Sequence, residues 1–436
     1  MTERLGWHSL GTVFDCVCGE RHALPIETCY IGEEAAARLA SFARGRCGTR
    51  GLLVADENTH AAGGEAVGRA LCDAGKQITE RIYAAAGLEA TEERAQEVAR
   101  CGVEADFYVA VGSGTVSDLA KAAGSEQGKP VLLFPTAASM NGYSSGITAL
   151  KVRGLKRTLP CRPATGIFAD PVVAATAPQR MTAAGVADFL SKCSSASDWH
   201  ASHLLRGAYY CHRPREFNEG IQEQLLEKAP AIGRGEADAV RFVLEAMLLS
   251  GFGMVVAGSS APASGGEHLI SHYLDMKHGL YGTPCDLHGA QVGVGTLHTL
   301  RLWEAILGTE PSDIDIDACV AAQLSEEMVE GWIMEDWGTE VGAEVLGQWR
   351  QKRLDDVALR AELAAVLQRL PELRTQLAGD LLSSAVVEQC IRESGGAVSP
   401  EALSAPVEEY LRATVRARYL RNRFTVLDLA AELRLA

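Results

Sequence analysis

The residue pattern of this chain changes period once, close to Pro178. Before that point, short apolar runs bounded by Gly, Pro and Asp alternate with helical patterns. Strands are expected at 25–32, 51–55, 77–84, 106–111, 131–134 and 166–169, with helices at 33–44, 64–74 and 91–101 between them. Runs that are apolar on both faces and separated by crossover helices indicate a parallel sheet. From Met181 onward strand alternation is missing. Helical periodicity fills 181–206, 218–230, 236–257, 264–277, 288–307, 315–330, 354–370 and 406–420, with Gly, Pro and Asp between many of these segments. The expectation is an α/β nucleotide-type domain over 1–178 and an all-helical domain over 179–436, with the site in the cleft between them. A 436-residue chain that is 47% hydrophobic can fill two cores.

Composition narrows the partners. The net charge is −15, from 41 basic and 56 acidic residues, which argues against general nucleic-acid or membrane-surface binding. A small anionic substrate needs only a local cationic site. The most apolar window, 243–266, carries Glu245 and is rich in Gly, Ala and Ser, so a buried helix and loop is expected there and no membrane span. Met1-Thr2-Glu3-Arg4 is not followed by an apolar export segment, and twelve cysteines are too few for a disulfide scaffold. The chain reads as cytoplasmic with reduced thiols. In Cys16-Val17-Cys18-Gly19-Glu20-Arg21-His22 a metal could be held with a fourth partner. The spacing matches no standard zinc pattern, and a turn with packed thiols is the expectation.

Three features of the first half suit a dinucleotide. Val109-Ala110-Val111-Gly112-Ser113-Gly114-Thr115-Val116-Ser117-Asp118 reads as strand, glycine turn and helix start. Glycines let the backbone approach an anion, and the helix N-terminus offers N–H donors to a pyrophosphate. The third glycine of the usual fingerprint is absent, and an ordinary strand-to-helix turn reads the same way. Asp56, just past the 51–55 strand, can accept hydrogen bonds from a ribose diol or simply cap a helix. The loop Pro135-Thr136-Ala137-Ala138-Ser139-Met140-Asn141-Gly142-Tyr143-Ser144-Ser145 can line a nicotinamide or a phosphate, or be only a loop.

The second half is rich in imidazole. Five of the eleven histidines fall in 268–298: His268, His272, His278, His288 and His298. His268 and His272 share one helix face. Alone, such a pair reads first as structural histidines, on a helix surface or buried. A carboxylate at Asp188 on an earlier helix, with His268 and His288, would make a three-ligand set that leaves a divalent ion open to substrate. Such an ion would polarise a hydroxyl, and His272 could relay its proton or hold the substrate. Lys192, one turn past Asp188, is either a cation for an anionic substrate or its salt-bridge partner.

Gly112-Ser113-Gly114-Thr115-Val116-Ser117-Asp118, Pro135-Thr136-Ala137-Ala138-Ser139 with Asn141-Gly142, Gly185-x-x-Asp188 and Ser264-x-x-Glu267-His268-x-x-x-His272 occur in this order. Together they resemble the glycerol-1-phosphate dehydrogenases, within the superfamily of iron-containing alcohol dehydrogenases, glycerol dehydrogenases and dehydroquinate synthases. The resemblance runs over roughly 15–300. It implies a Rossmann-like domain followed by a helical metal-binding domain, and NAD(P)-linked interconversion of sn-glycerol 1-phosphate and dihydroxyacetone phosphate by a homodimer. It implies cofactor contacts at Asp56, Gly112, Ser113, Gly114, Thr115, Val116, Asp118, Thr136, Ser139 and Ser145. It also implies a metal on Asp188, His268 and His288, zinc first with nickel or iron as alternatives, and substrate contacts at Asn141, Asp188 and His272. Two positions depart from the family pattern. Ser113 stands in a commoner Gly-Gly-Gly, and Asn141 replaces an Asp, removing a charge from the substrate contact. That change admits a related alcohol, hydroxyalkyl phosphate or phosphonate. The cations Lys151, Arg153, Lys156 and Arg157 keep open a sugar-phosphate cyclase, a lyase that recycles its NAD.

Overall fold

A computed structural model describes residues 4–153 and 155–435. Two compact units emerge. The first runs to Phe189 and adds Cys211–Ser260 and Glu393–Gly396; the second holds Leu190–Tyr210, Ala261–Arg392 and the chain from Ala397 onward.

The first unit is built on six parallel strands. In chain order its strands are β1 (Val13–Asp15), β2 (Arg21–Ala23), β3 (Thr28–Ile31), β4 (Arg50–Asp56), β5 (Gln77–Tyr83), β6 (Phe107–Gly112), β7 (Val131–Pro135), β8 (Ile147–Val152), β9 (Leu155–Pro160) and β10 (Gly166–Ala169). The sheet order is β3-β10-β7-β6-β4-β5, every pair parallel. β6 and β7 are buried along their whole length, which is why they read as unbroken apolar runs. Leu53, Val109, Leu132, Phe134 and Phe168 meet Leu39, Ala43, Val67 and Leu71 from the Ala35–Arg46 and Glu65–Asp73 helices. The strand order reverses between β4 and β6. In an open parallel sheet, ligands bind outside the carboxyl ends of the strands at such a reversal. Those two ends carry Asp56 and Gly112.

Two antiparallel hairpins, β1–β2 and β8–β9, lie outside this sheet. The sequence pattern did not announce them, because β1 and β2 are three residues each, β9 carries Lys156 and Arg157 on opposite faces, and Lys151 interrupts the apolar run of β8. One helix, Ala237–Ala257, is long and apolar enough to cross a membrane, and most of its apolar window is buried in the protein. Burial among side chains accounts for its apolarity without a bilayer.

The second unit contains no strand among the described residues. The helical pattern expected over 181–206 is interrupted at Ser191, giving Gln179–Leu190 and Lys192–Arg206. Gly266–Tyr281 and His288–Gly308 pack side by side, and they carry the clustered histidines.

Candidate active site

Asp188 sits on the Gln179–Leu190 helix, whose position is set three residues earlier. A Cβ built on Gly185 would lie 1.9 Å from the Ala138 carbonyl oxygen. Only glycine allows the helix this close to the 135–145 loop. Asp188 is buried. Asp188, His268 and His288 each offer one ligand atom, and these atoms all lie within 4.8 Å of one another. The His268 and His288 ring centroids are 5.3 Å apart. His272 stands beside them, its ring stacked on His288 at 5.8 Å and 6.2 Å from His268. The remaining two histidines of the run are elsewhere. His278 Nδ1 donates to the Thr283 carbonyl at 2.9 Å, and burial, helped by Arg301, pushes His298 down to about 4.

Both imidazoles are held from behind. His268 Nδ1 donates to Glu267 Oε1 at 2.8 Å, and the same oxygen accepts from the Gly265 N–H at 2.7 Å. His288 Nδ1 is 2.9 Å from Ser271 Oγ and 3.6 Å from Asp275 Oδ2. Gln291 Nε2 ties these two together, donating to Ser271 Oγ at 3.1 Å and Asp275 Oδ1 at 3.0 Å. Engaging Nδ1 in this way fixes the tautomer and turns Nε2 of each ring toward a cation. Burial raises the Glu267 carboxyl, but the His268 hydrogen bond and charge outweigh it, and the net shift is downward. Asp198 lies below the same turn, accepting from Gly266 N–H at 2.7 Å, Val426 N–H at 3.0 Å and Trp303 Nε1–H at 3.2 Å. Burial and the Glu267 charge push the Asp198 carboxyl well above the usual carboxylate range. Gly265 makes room for this arrangement, since a Cβ there would meet Asp198 Oδ2 at 2.5 Å. Reading the sequence missed Asp198, Ser271, Asp275 and Gln291 as supports. The Glu267-His268 dipeptide was the one available signal for such a device.

At the sheet, Ser113 occupies the N-cap of the Gly114–Gln127 helix, and its side chain makes no capping hydrogen bond. The first-turn N–H groups of Gly114, Thr115 and Val116 therefore keep the donor character that suits a phosphate. Asp56 is the N-cap of the short helix after β4. Its Oδ1 accepts from Asn58 N–H at 2.9 Å and Thr59 N–H at 3.0 Å. Thr136 is buried at the end of β7, its N–H bonded to the Gly112 carbonyl at 3.2 Å. Ser139 Oγ is 3.5 Å from Tyr143 Oη, and Asn141 Nδ2 donates to Ser250 Oγ at 3.2 Å. Ser145 is fully buried, with Oγ donating toward the Gly142 and Ile147 carbonyls at 3.1 Å. Lys121, also fully buried, donates to the same two carbonyls at 2.6 Å. Burial pushes Asp118 up to about 6, against Lys121, the Ala149 N–H and Thr148, so it faces the β8–β9 hairpin. Ser145 and Asp118 thus spend their polar atoms on the chain itself.

Lys192 is buried, its ammonium donating to the Ala263 carbonyl and Ser191 Oγ at 3.2 Å. Of the 151–157 cations, Lys151 pairs with Glu89, and Lys151 and Lys156 face each other across the β8–β9 register.

A parallel sheet with a dinucleotide-type reversal and an Asp-His-His cluster among helices defines the class. The model of the iron-containing alcohol dehydrogenases matches residues 30–178. The sulfoacetaldehyde reductase of Bifidobacterium kashiwanohense, solved with NAD+, shares the fold at a TM-score of 0.57 and 17% identity, over 95% of this chain and 97% of that one. A glycerol-1-phosphate dehydrogenase [NAD(P)+] of Bacillus licheniformis is 30% identical over 358 residues, 81% of this chain and 88% of that protein. One from Geobacillus stearothermophilus is 29% identical over 430 residues, 96% of each. The chain belongs to the glycerol-1-phosphate dehydrogenase family of the iron-containing alcohol dehydrogenase superfamily.

Proposed function

We propose that this protein is a metal-dependent, NAD(P)-linked dehydrogenase that interconverts sn-glycerol 1-phosphate and dihydroxyacetone phosphate. The observation that carries the reading is the convergence of Asp188, His268 and His288 to within 4.8 Å. One carboxylate and two imidazoles, each imidazole with Nδ1 engaged, fit a divalent ion held by three protein ligands with an open position. These donors suit zinc, nickel or iron, and zinc is the ion we propose. The relatives named for the NAD(P)+-linked activity on glycerol 1-phosphate support the substrate and the cofactor.

A bound ion supplies Lewis acidity to a substrate hydroxyl, and a bound nicotinamide supplies the hydride acceptor. The chain's own groups do the rest. The Gly114–Gln127 N-terminus takes the pyrophosphate, and Asp56 takes a ribose hydroxyl through the oxygen that does not cap the helix. Thr136 and Ser139 line the nicotinamide side, while Asp118 and Ser145 hold the hairpin and loop in place. His272, stacked on His288, is positioned to accept the hydroxyl proton at a ring nitrogen. Asn141 hydrogen-bonds a substrate hydroxyl without adding charge.

The test is NAD(P)H absorbance with metal-reconstituted protein and each enantiomer of glycerol phosphate. Reduction of NAD(P)+ with the sn-1 form, lost in Asp188→Ala and in His268→Ala, is expected. No signal with any polyol phosphate, phosphonate or plain polyol would sink the proposal. Phosphate release without net NADH would identify a cyclase instead.

A further inference from the structure

The N-terminal hairpin poses a separate problem. β1 and β2 are three residues each, and two-stranded hairpins of this size have little stability of their own. Across both strands the one buried side chain is His22, a polar one. The loop joining them is closed by Cys16 N–H to the Glu20 carbonyl and Gly19 N–H to the Cys16 carbonyl, both at 3.0 Å, with Gly19 at φ +91°. That turn brings Cys16, Cys18 and His22 to one side. A fourth group arrives from 189 residues away. Cys211 is almost fully buried, and its Sγ lies 3.5 Å from His22 Nε2 and 3.7 Å from Cys16 Sγ. Cys18 Sγ is 3.3 Å from His22 Nε2. All four ligand atoms fall within 4.8 Å of one another, and no disulfide links them.

These separations are informative. Around a tetrahedral zinc with Zn–S of about 2.3 Å and Zn–N of about 2.0–2.1 Å, two sulfurs stand about 3.8 Å apart and a sulfur and a nitrogen about 3.5 Å. The Cys16–Cys211 and Cys211–His22 distances match those edges. A disulfide would need about 2.05 Å between sulfurs, and it would leave the third thiol and the buried imidazole unused. We propose that Cys16, Cys18, His22 and Cys211 bind one zinc ion as a closed, structural Cys3His site. The ion fastens the β1–β2 hairpin to the chain entering the Arg213–Phe217 turn. Thiolate donors select zinc over magnesium, calcium or manganese. Four protein ligands leave no position for substrate, which separates this site from the three-ligand cluster. The Arg213 backbone N–H points at the Cys211 sulfur, the kind of support a thiolate ligand receives. Cys16 and Cys18 are partly exposed, which gives the ion a way in.

The experiment uses the full chain carrying Asp188→Ala and His268→Ala, so that the other cluster cannot hold metal. Loaded with cobalt(II), this protein should bind one equivalent and show an intense sulfur-to-cobalt charge-transfer absorption, which oxygen and nitrogen ligands do not give. Adding Cys16→Ser and Cys18→Ser should abolish both. If the serine variants fail to fold, the cobalt spectrum of wild-type protein decides alone. A folded protein without the charge-transfer absorption overturns the proposal. So does zinc content unchanged by the serine substitutions, or a Cys16–Cys211 disulfide in freshly purified, unreduced protein.

Discussion

Gly185→Ala tests whether the glycine motif before Asp188 acts by geometry. The added Cβ would sit 1.9 Å from the Ala138 carbonyl oxygen, 3.0 Å from its carbonyl carbon and 3.3 Å from Ser139 Cα. All three obstacles are backbone, so no side-chain rotation relieves them. Cβ contacts shorter than 3.0 Å are essentially never seen, so the helix and the loop must part by about 1 Å or more. Overpacking of this kind costs about 1–3 kcal/mol, and the better helix propensity of Ala returns about 1 kcal/mol. Stability should therefore fall only modestly. Asp188 lies three residues along the same helix and moves with it. A misplacement of about 1 Å costs about 100-fold in rate, or about 2.7 kcal/mol of transition-state stabilisation. The expected result is a folded variant with kcat/KM for NAD(P)+-linked oxidation reduced about 100-fold and with weakened metal retention. A folded variant with wild-type metal content and kcat/KM within about threefold would refute the reasoning.

Glu267→Gln removes the charge that holds His268 Nδ1, and metal affinity measured by chelator competition should fall about 10- to 100-fold; an unchanged affinity would separate Glu267 from the ligand. Asp118 bears on pH. Its pKa is raised from 3.8 to about 6 in the folded protein, so the native state keeps its proton longer than the unfolded chain does. Its contribution to stability is present below about pH 4, declines as pH rises to about 6 and is then constant, a loss of ~3 kcal/mol. Asp118→Asn should gain about 2 kcal/mol on wild type between pH 4.5 and pH 7.5 in urea denaturation, since part of the loss falls below pH 4.5, and an equal difference at both pH values would count against it. Asn141→Asp should raise kcat/KM on glycerol 1-phosphate about 5-fold, since a hydroxyl bonds a carboxylate about 1 kcal/mol more strongly than an amide. Ser250 can donate to the new carboxylate across the present 3.2 Å contact. A fall in kcat/KM would show that Asn141 serves a different substrate.

The sheet was legible because β4, β6 and β7 are buried on both faces, and double burial leaves an apolar run that no surface position interrupts. The hairpins were not, since β8 carries Lys151 and β9 carries Lys156 and Arg157, so neither shows the alternation that marks a strand. His268 and His288 could be singled out because imidazoles four residues apart, with another nearby, are an uncommon local pattern. Their supports could not. Asp198, Asp275 and Gln291 look like ordinary helix residues, and burial, which makes them matter, is a property of packing. Asp56 shows the opposite difficulty. It was open between a ribose contact and a helix cap, and its Oδ1 is engaged as a cap. Cys211 lay beyond local reading altogether, because nothing near residue 211 points back to a turn at residues 16–22.

The two clusters differ in a way that assigns them different work. Asp188, His268 and His288 supply one oxygen and two nitrogens, three donors in all, which is the count that leaves a coordination position for a substrate. Cys16, Cys18, His22 and Cys211 offer three sulfurs and one nitrogen, a closed tetrahedron with no position for chemistry. Sulfur donors retain zinc where carboxylate and imidazole donors also accept nickel or iron. On these two proposals, the ion at Asp188, His268 and His288 would exchange while the ion at the N-terminal hairpin is kept.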